Sequence, residues 1–304
     1  MDLYQSLVNM QVRKNARQKS EFIEFVRSLA EAKGYPFSVE ESGSLPKARN
    51  IVIGDPESAE VVFAGHYDTC AKMPFPNLLT PRNPLAFLGW QMLLVIPMVG
   101  IPMATMLLLQ AAGMNRFLTL GIYMLMLFAE FYLMIMGPAN KHTMNDNTSG
   151  VYTVLTAMLA SDPAKKAAYV LFDNEELGLV GSGAFAKAHP RIKKDVPVFN
   201  FDCVGNGEHM LLFPKKAAKN HPAYEQYQAA LEGAPFAVVP CDRGFAVYPS
   251  DQKKFDLGIG VASFHKKPRV GYVMGRIHTG RDTVLNREHA EALATAIVTY
   301  TENL

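Results

Sequence analysis

Cysteine is scarce in this chain: Cys70, Cys203 and Cys241 are too few and too scattered for a disulfide framework or a thiolate zinc site. An imbalance of charge is lacking too. Basic and acidic residues nearly cancel at a formal +2, which gives no special affinity for nucleic acid. The N-terminus, Met1-Asp2-Leu3-Tyr4-Gln5, has no basic start followed by an apolar core, so no signal peptide is expected. A reducing compartment suits the free thiols. No internal repeat or low-complexity linker is visible, and nothing signals an oligomeric state. The most informative absence lies between Asn83 and Asn115, where there is no charged residue at all.

That uncharged run is the first of two apolar stretches. Helices are expected over about 85–113 and 117–136, the second roughly 30 Å long and so able to cross a bilayer. Asn115-Arg116 makes a tight turn between them. Pro97 and Pro102 kink the first helix, which membrane helices tolerate better than soluble ones. The chain therefore divides into residues 1–82 and 139–304, one body of about 230 residues, and residues 83–138, a transmembrane helical hairpin touching lipid through 85–136. Glu130 is the one charge of the second stretch, roughly 9 Å from its body-side end. A carboxylate is costly in lipid, so it snorkels, pairs with the neighbouring helix or marks a functional contact. Two spans return the chain to its starting side. Arg82 and Lys141 flank the hairpin on the body side against Arg116 at the tip, so a two-pass protein with a cytoplasmic body is expected.

Outside the hairpin, Phe22, Ile23, Phe25, Val26 and Leu29 recur at helical spacing after Ser20 and stop at Gly34. Arg13, Lys14, Arg17 and Lys19 before them read as a solvated face, with contact to a nearby bilayer as the alternative. Asn50–Gly54 and Val61–Gly65 are apolar runs bounded by turn residues, which suits buried strands. After Gly150 the chain alternates. Helices are expected over 151–159, 178–189 (ended by Pro190), 224–231 and 287–300, with strands over 167–172, 196–203 and 259–264. The fold class is α/β, with a mostly parallel central sheet sandwiched by helices.

In such a sheet, functional residues collect at the carboxyl ends of the strands. His66 and Asp68 follow the run ending at Gly65, and Asp146 opens the helix after Asn147. Glu175 and Glu176 follow the strand ending at Phe172, Asp202 ends the next, and His278 follows Tyr272-Val273-Met274. Gly181-Ser182-Gly183 lacks the Lys and spacing of a phosphate loop. Cys203 is expected to point away from Asp202, because strand side chains alternate.

These elements together resemble the co-catalytic di-zinc aminopeptidases, relatives of glutamate carboxypeptidase II, glutaminyl cyclases and the transferrin receptor. The resemblance is carried by His66-Tyr67-Asp68-Thr69, Asn145-Asp146-Asn147-Thr148-Ser149-Gly150, Asp173-Asn174-Glu175-Glu176-Leu177-Gly178, Asn200-Phe201-Asp202, Ser250-Asp251 with Phe255 and Gly258, and His278-Thr279 with Asp282-Thr283, in the family's order. The departure is the hairpin, where the family normally has a short loop. The resemblance implies two zinc ions, one held by His66, Asp146 and Asp202, the other by Asp146, Glu176 and His278, with Asp146 as bridge. It implies that Asp68 orients His66 and that Glu175 is the general base. These ligand types suit zinc. The implied protein is a membrane-anchored zinc metallopeptidase, a hydrolase releasing N-terminal residues from peptide or aminoacyl substrates. A glutaminyl cyclase-like or other amidohydrolase activity, and a non-catalytic membrane receptor or scaffold, stand as alternatives.

Overall fold

Apolar residues alternate along the strands between two faces of one sheet. In the computed structural model, which describes residues 2–43, 46–75 and 77–304, the chain opens with helices α1 (Leu3–Asn9) and α2 (Ala16–Lys33). Strands β1 (Phe37–Glu41), β2 (Arg49–Ile53) and β3 (Val61–His66) follow, then the long helices α3 (Pro84–Ala111) and α4 (Arg116–Met136). After an irregular turn over Met144–Ser149 come α5 (Gly150–Ala160), β4 (Ala167–Phe172), α6 (Val180–Ala188), α7 (Pro190–Asp195) and β5 (Val198–Phe201). The chain closes with β6 (His209–Pro214), α8 (Pro222–Ala230), β7 (Ala237–Pro240), β8 (Gly258–Lys267), β9 (Gly271–Val273) and α9 (Arg287–Glu302).

The sheet order is β1-β2-β4-β3-β5-β8-β6-β7, with β9 paired to β8. Parallel pairing joins β4, β3, β5 and β8 at the centre; β1, β2, β6 and β9 pair antiparallel, apart from a parallel β6–β7 edge. The α/β sandwich matches expectation; the sheet is mixed, with parallel pairing at its centre, where the site-bearing strands lie, and again at the β6–β7 edge. Ile51, Phe63, Leu171 and Phe199 face α2, α5, α8 and α9, while Val52, Val62, Val170 and Val198 face α6 and α7. This is the period-2 pattern of a sheet buried on both sides.

α2 begins earlier than its apolar face suggests. Asn15 accepts from the Gln18 N–H at 2.9 Å, and Gln18 Oε1 accepts from the Asn15 N–H at 3.1 Å, a reciprocal cap. The basic residues before the apolar face are not a uniformly solvated surface. Arg17 is exposed, but Arg13 is fully buried, donating to the Tyr67 carbonyl and to Thr148 Oγ1. Lys19 is buried in an ion pair with Asp173 and donates to Asn174 Oδ1 at 2.7 Å. Pro190 ends α6 as expected and also starts α7, where its fixed φ suits the first turn.

α3 and α4 pack against each other and are long and apolar enough to cross a membrane. Their outer side chains are bare: Leu85 is 82% and Phe117 84% exposed. Asn115 caps α4 by accepting from the Phe117 and Leu118 N–H groups. At the base, the Lys72 N–H donates to the Pro138 carbonyl at 2.8 Å and the Asn140 N–H to the Cys70 carbonyl at 3.1 Å. Leu79 pairs with Met274 in an isolated bridge. The hairpin thus grows from the loop after β3 and returns into the segment before the Met144–Ser149 turn, with the first of these also bonded to the segment after β9.

Asp173 also accepts from the Arg49 and Asn174 N–H groups, so the Lys19 ammonium neutralises the carboxylate that holds the loop after β4. Lys19→Met leaves that carboxylate buried and unpaired, and we expect a loss of about 3–5 kcal/mol by chemical denaturation in detergent. Arg17→Ala, at an exposed position, should leave the midpoint nearly unmoved. Equal effects would show that the buried pair does not hold the loop.

Candidate metal centre

The parallel centre of the sheet delivers four segments to one crevice. His66 ends β3, Glu175 and Glu176 follow β4, Asp202 follows β5, and the irregular turn before α5 places Asp146 above them. Asn147 clamps this turn. Its amide donates to the His66 and Phe201 carbonyls at 3.3 and 2.9 Å and accepts from the Gly150 and Cys203 N–H groups, both at 3.1 Å. Gly150 lies so close to the Phe201 carbonyl that a Cβ there would collide with it. Asp282 fixes the turn from the other side, accepting from the Asn145 and Asp146 N–H groups at 2.8 and 3.0 Å. The Asp146–Asn147 peptide is cis.

So held, the two carboxylate oxygens of Asp146 face two different imidazoles. Oδ1 lies 3.2 Å from His66 Nε2, and Oδ2 lies 3.1 Å from His278 Nε2. Asp202 Oδ1 is 3.6 Å from His66 Nε2, and Glu176 Oε2 is 3.5 Å from His278 Nε2. Two ligand-type groups result, His66–Asp146–Asp202 and Asp146–Glu176–His278 with Cys70 beside it. Glu175 lies between them, grouped with His66 and Glu176. Asp68 Oδ1 sits 3.5 Å from His66 Nδ1 and accepts from the Glu175 N–H at 2.9 Å, while Oδ2 accepts from the Glu176 N–H at 3.3 Å. One carboxylate thereby holds both glutamate N–H groups and stands beside the His66 ring, whose Nδ1 has no hydrogen-bond partner among the described residues.

The donors fit zinc. His66 Nε2 and Asp202 Oδ1 are buried and, among the described residues, have no partner in hydrogen-bonding geometry. They are aimed at a common point with Asp146 instead. Asp68, Asp146, Glu175, Glu176 and Asp202 outnumber the two imidazoles, so even two protonated rings leave net negative charge, which divalent cations offset. The proton affinities show the same strain. Burial draws His66 down, but the carboxylates of Asp146, Asp202 and Asp68 win and raise it well above the ordinary histidine value. His278 is likewise drawn down by burial yet stands at about 9 beside Glu176 and Asp146. Burial lifts Glu176 to about 8 and Glu175 well above the carboxylate range. Asp146 stays low because the His278 and His66 rings overcome its burial.

Cys203 departs from expectation. It lines the same cleft as Asp202, because β5 ends at Phe201 and Cys203 adopts a left-handed φ of 59°, which breaks the strand alternation. Asn174 (φ 55°) and His278 (φ 62°) are left-handed as well. Sparsely populated backbone therefore flanks or carries the site at three places. Burial, with the Glu176 and Asp146 carboxylates nearby, raises the Cys70 thiol well above its ordinary value, so it stays neutral. Sequence reasoning gave no part to Tyr248, which donates to the Asp202 carbonyl at 3.1 Å and lines the cleft. Asp251 was legible only as part of a motif; it is fully buried, with both carboxylate oxygens unpartnered among the described residues.

An α/β crevice walled by imidazoles and carboxylates at the carboxyl ends of parallel strands is the architecture of a metallohydrolase. Residues 128–301, more than half of the chain, match Peptidase family M28, and the protein belongs to that family. It is a hydrolase of the zinc metallopeptidase class, as the motifs implied. No curated protein matches it in sequence. Among solved structures it is similar to the Legionella pneumophila LapA aminopeptidase (16% identity, 99% of this chain and 68% of that one, TM-score 0.57). It is similar to Porphyromonas gingivalis glutaminyl cyclase (15%, 99% and 95%, TM-score 0.59) and to a Zn-dependent exopeptidase from Parabacteroides distasonis (15%, 99% and 94%, TM-score 0.59). At such identities these neighbours share the fold.

Asp282 touches none of the ligand-type side chains, yet both its oxygens hold the Asp146 turn. Asp282→Ala leaves two buried N–H groups unpaired and should cost about 3 kcal/mol by denaturation in detergent. Asp282→Asn keeps one acceptor and should recover roughly half of that. Identical stability of the two variants would remove Asp282 from this role.

Proposed function

We propose that the protein is a membrane-anchored di-zinc aminopeptidase, with residues 83–138 inserted as a transmembrane hairpin into a peptidase domain made of the rest. The observation that carries the reading is Asp146, whose two oxygens face His66 and His278 separately at 3.2 and 3.1 Å. His66, Asp146 and Asp202 would hold one ion, and Asp146, Glu176 and His278 the other. When bound, zinc supplies Lewis acidity that makes water a stronger acid and polarises a peptide carbonyl.

The chain's own residues do the rest. Asp68 keeps the His66 ring oriented and, through two backbone N–H groups, fixes where Glu175 stands. Glu175 accepts a proton from water as its oxygen bonds to the acyl carbon, and returns that proton to the nitrogen as the C–N bond breaks. The cleft holding these groups is only about 150 Å³, which suits one residue on the acyl side and therefore an N-terminal cleavage. A full ligand set for two ions favours hydrolysis over cyclisation of N-terminal glutamine. The body lies on the cytoplasmic side, since the two flanking cations Arg82 and Lys141 stay with it.

Elemental analysis should find two zinc ions per chain, with activity on peptides lost to chelator and restored by zinc. Asp146→Ala should lose both ions; full metal content in that variant would sink the ligand assignment. Glu175→Gln should keep the metal and lose about 100-fold or more in kcat, whereas Glu176→Gln should lose metal. The reverse pattern would exchange the two roles.

Cysteine labelling in intact cells tests the topology. A cysteine placed at Asn115 should react with a membrane-impermeant reagent, and one at Lys165 on the body should not. Labelling of Lys165→Cys alone would invert the orientation, and a full chain soluble without detergent would remove the membrane reading.

A further inference from the structure

Three cavities run in series from the metal centre into the hairpin. The central cleft shares Asn77, Glu176 and His278 with a second cavity of about 240 Å³. The second shares Met73, Phe75, Leu94 and Met134 with a third of about 430 Å³ against α3 and α4. Shared walls make these adjoining cavities, set in line as a path from the metal centre to the hairpin, and the last has the size of an ordinary ligand site. The character of the wall changes along the way, from carboxylates and imidazoles at the centre to Pro97, Met98, Ile101 and Leu133 at the far end. The path is built into the site, since the Met73 N–H donates to the His278 carbonyl at 2.8 Å and the Asn140 side chain to the Thr279 carbonyl at 3.0 Å.

One polar group stands in the apolar part. Glu130 lines the third cavity, one turn before Met134 on the same helix, with Oε2 buried and unpartnered among the described residues. A carboxylate in that position calls for a hydrogen-bond donor. An extended peptide in an apolar medium has the complementary need, because each of its N–H groups is costly without an acceptor. A plain alkyl chain would fill the cavity and leave Glu130 unanswered.

We propose that the substrate enters from the bilayer: a hydrophobic peptide with a free N-terminus, whose first peptide bond lies at the metal centre while its next residues extend along the path toward Glu130. This rests on the aminopeptidase and membrane readings above. The small central cleft takes the residue on the acyl side, so the leaving side runs into the hairpin. Discrimination comes from partitioning and orientation, because lipid and the third cavity are about equally apolar and entry from the bilayer gains little hydrophobic energy.

The test uses the zinc-loaded full chain in phosphatidylcholine vesicles with three amides sharing their first two residues: a dipeptide, a long apolar peptide and a long polar peptide. The long apolar peptide should exceed the long polar one in kcat/KM by about 10-fold or more. Met98→Trp, which fills the third cavity, should bring that ratio close to one. Leu125→Trp, on the exposed outer face of α4, should leave it unchanged. Glu130→Ala should lower the ratio, and Glu130→Gln, which still offers an acceptor oxygen, should restore much of it. In metal-free protein a photoreactive long apolar peptide should label the Met98–Ile101 wall rather than the Leu125 face. Dipeptide turnover without an apolar preference, or a preference that survives Met98→Trp, overturns this inference alone. Failure to cleave the dipeptide with both ions bound overturns the aminopeptidase reading, and the labelling pattern then still decides whether the path takes a peptide.

Discussion

The structure depends on gathering several carboxylates into one buried crevice and keeping them apart by fixed donors. Mutual repulsion and lost hydration oppose this arrangement, and three of the surrounding acids are tied down by fixed donors. Asp68 takes two loop N–H groups after β4, Asp282 takes two from the Asp146 turn, and Asp173 takes Lys19 with two further N–H groups. What is left unsatisfied points inward. Asn147 makes this possible by joining β3, β5 and the start of α5 with one amide, and Gly65 and Gly150 let those backbones approach the Phe201 carbonyl. Fold and site are therefore one construction: the parallel order β4-β3-β5 sets the spacing of the ligand-type groups.

The same construction explains what could be read from sequence. Strands β3, β4 and β5 are apolar runs that end abruptly in acids or histidine, and that change of polarity marks the crevice. The edge strands β1 and β7 are half exposed and do not end in an acid or histidine after a buried apolar run. β1 is broken by Ser38, Glu40 and Glu41, and β7 is only four residues long, so they stayed unseen, as did the short helix α1. β6 was overlooked although Met210–Phe213 has the same apolar signal as its neighbours. Lys19 and Arg13 were misread for a different reason. Their partners lie 154 and 135 residues away, and a local charge pattern cannot distinguish a solvated cation from one buried against a distant acid or hydroxyl. Cys203 failed because alternation holds only inside a strand, and the backbone turns left-handed two residues past its end.

The hairpin sits at an interruption the site can tolerate. Its helices leave and return through segments already bonded to each other, 70–72 against 138–140, so an excursion between Asp68 and Asp146 does not disturb where either residue stands. Two crossings rather than one are required for this: a single span would put His66 and Asp146 on opposite sides of a bilayer. Pro97 of α3 lines the third cavity, and on the membrane reading a proline lets helix packing loosen without leaving lipid.

The two long helices are coupled to the metal centre by short connections. Met73 donates to the His278 carbonyl, Lys14 Nζ reaches the Ile135 carbonyl at the end of α4, and Asn83 at the start of α3 reaches the Val270 carbonyl beside β9. With both legs pinned to the loops around the centre, the body cannot swing freely about the hairpin as it could on a flexible tether. On the membrane reading, the mouth of the site is then held at a fixed depth and angle to the lipid surface. An anchor serving only localisation would need neither this rigidity nor a wall shared with Glu176 and His278. On the proposal that substrate enters from the bilayer, the insert is part of the binding site, which the body completes with its chemistry.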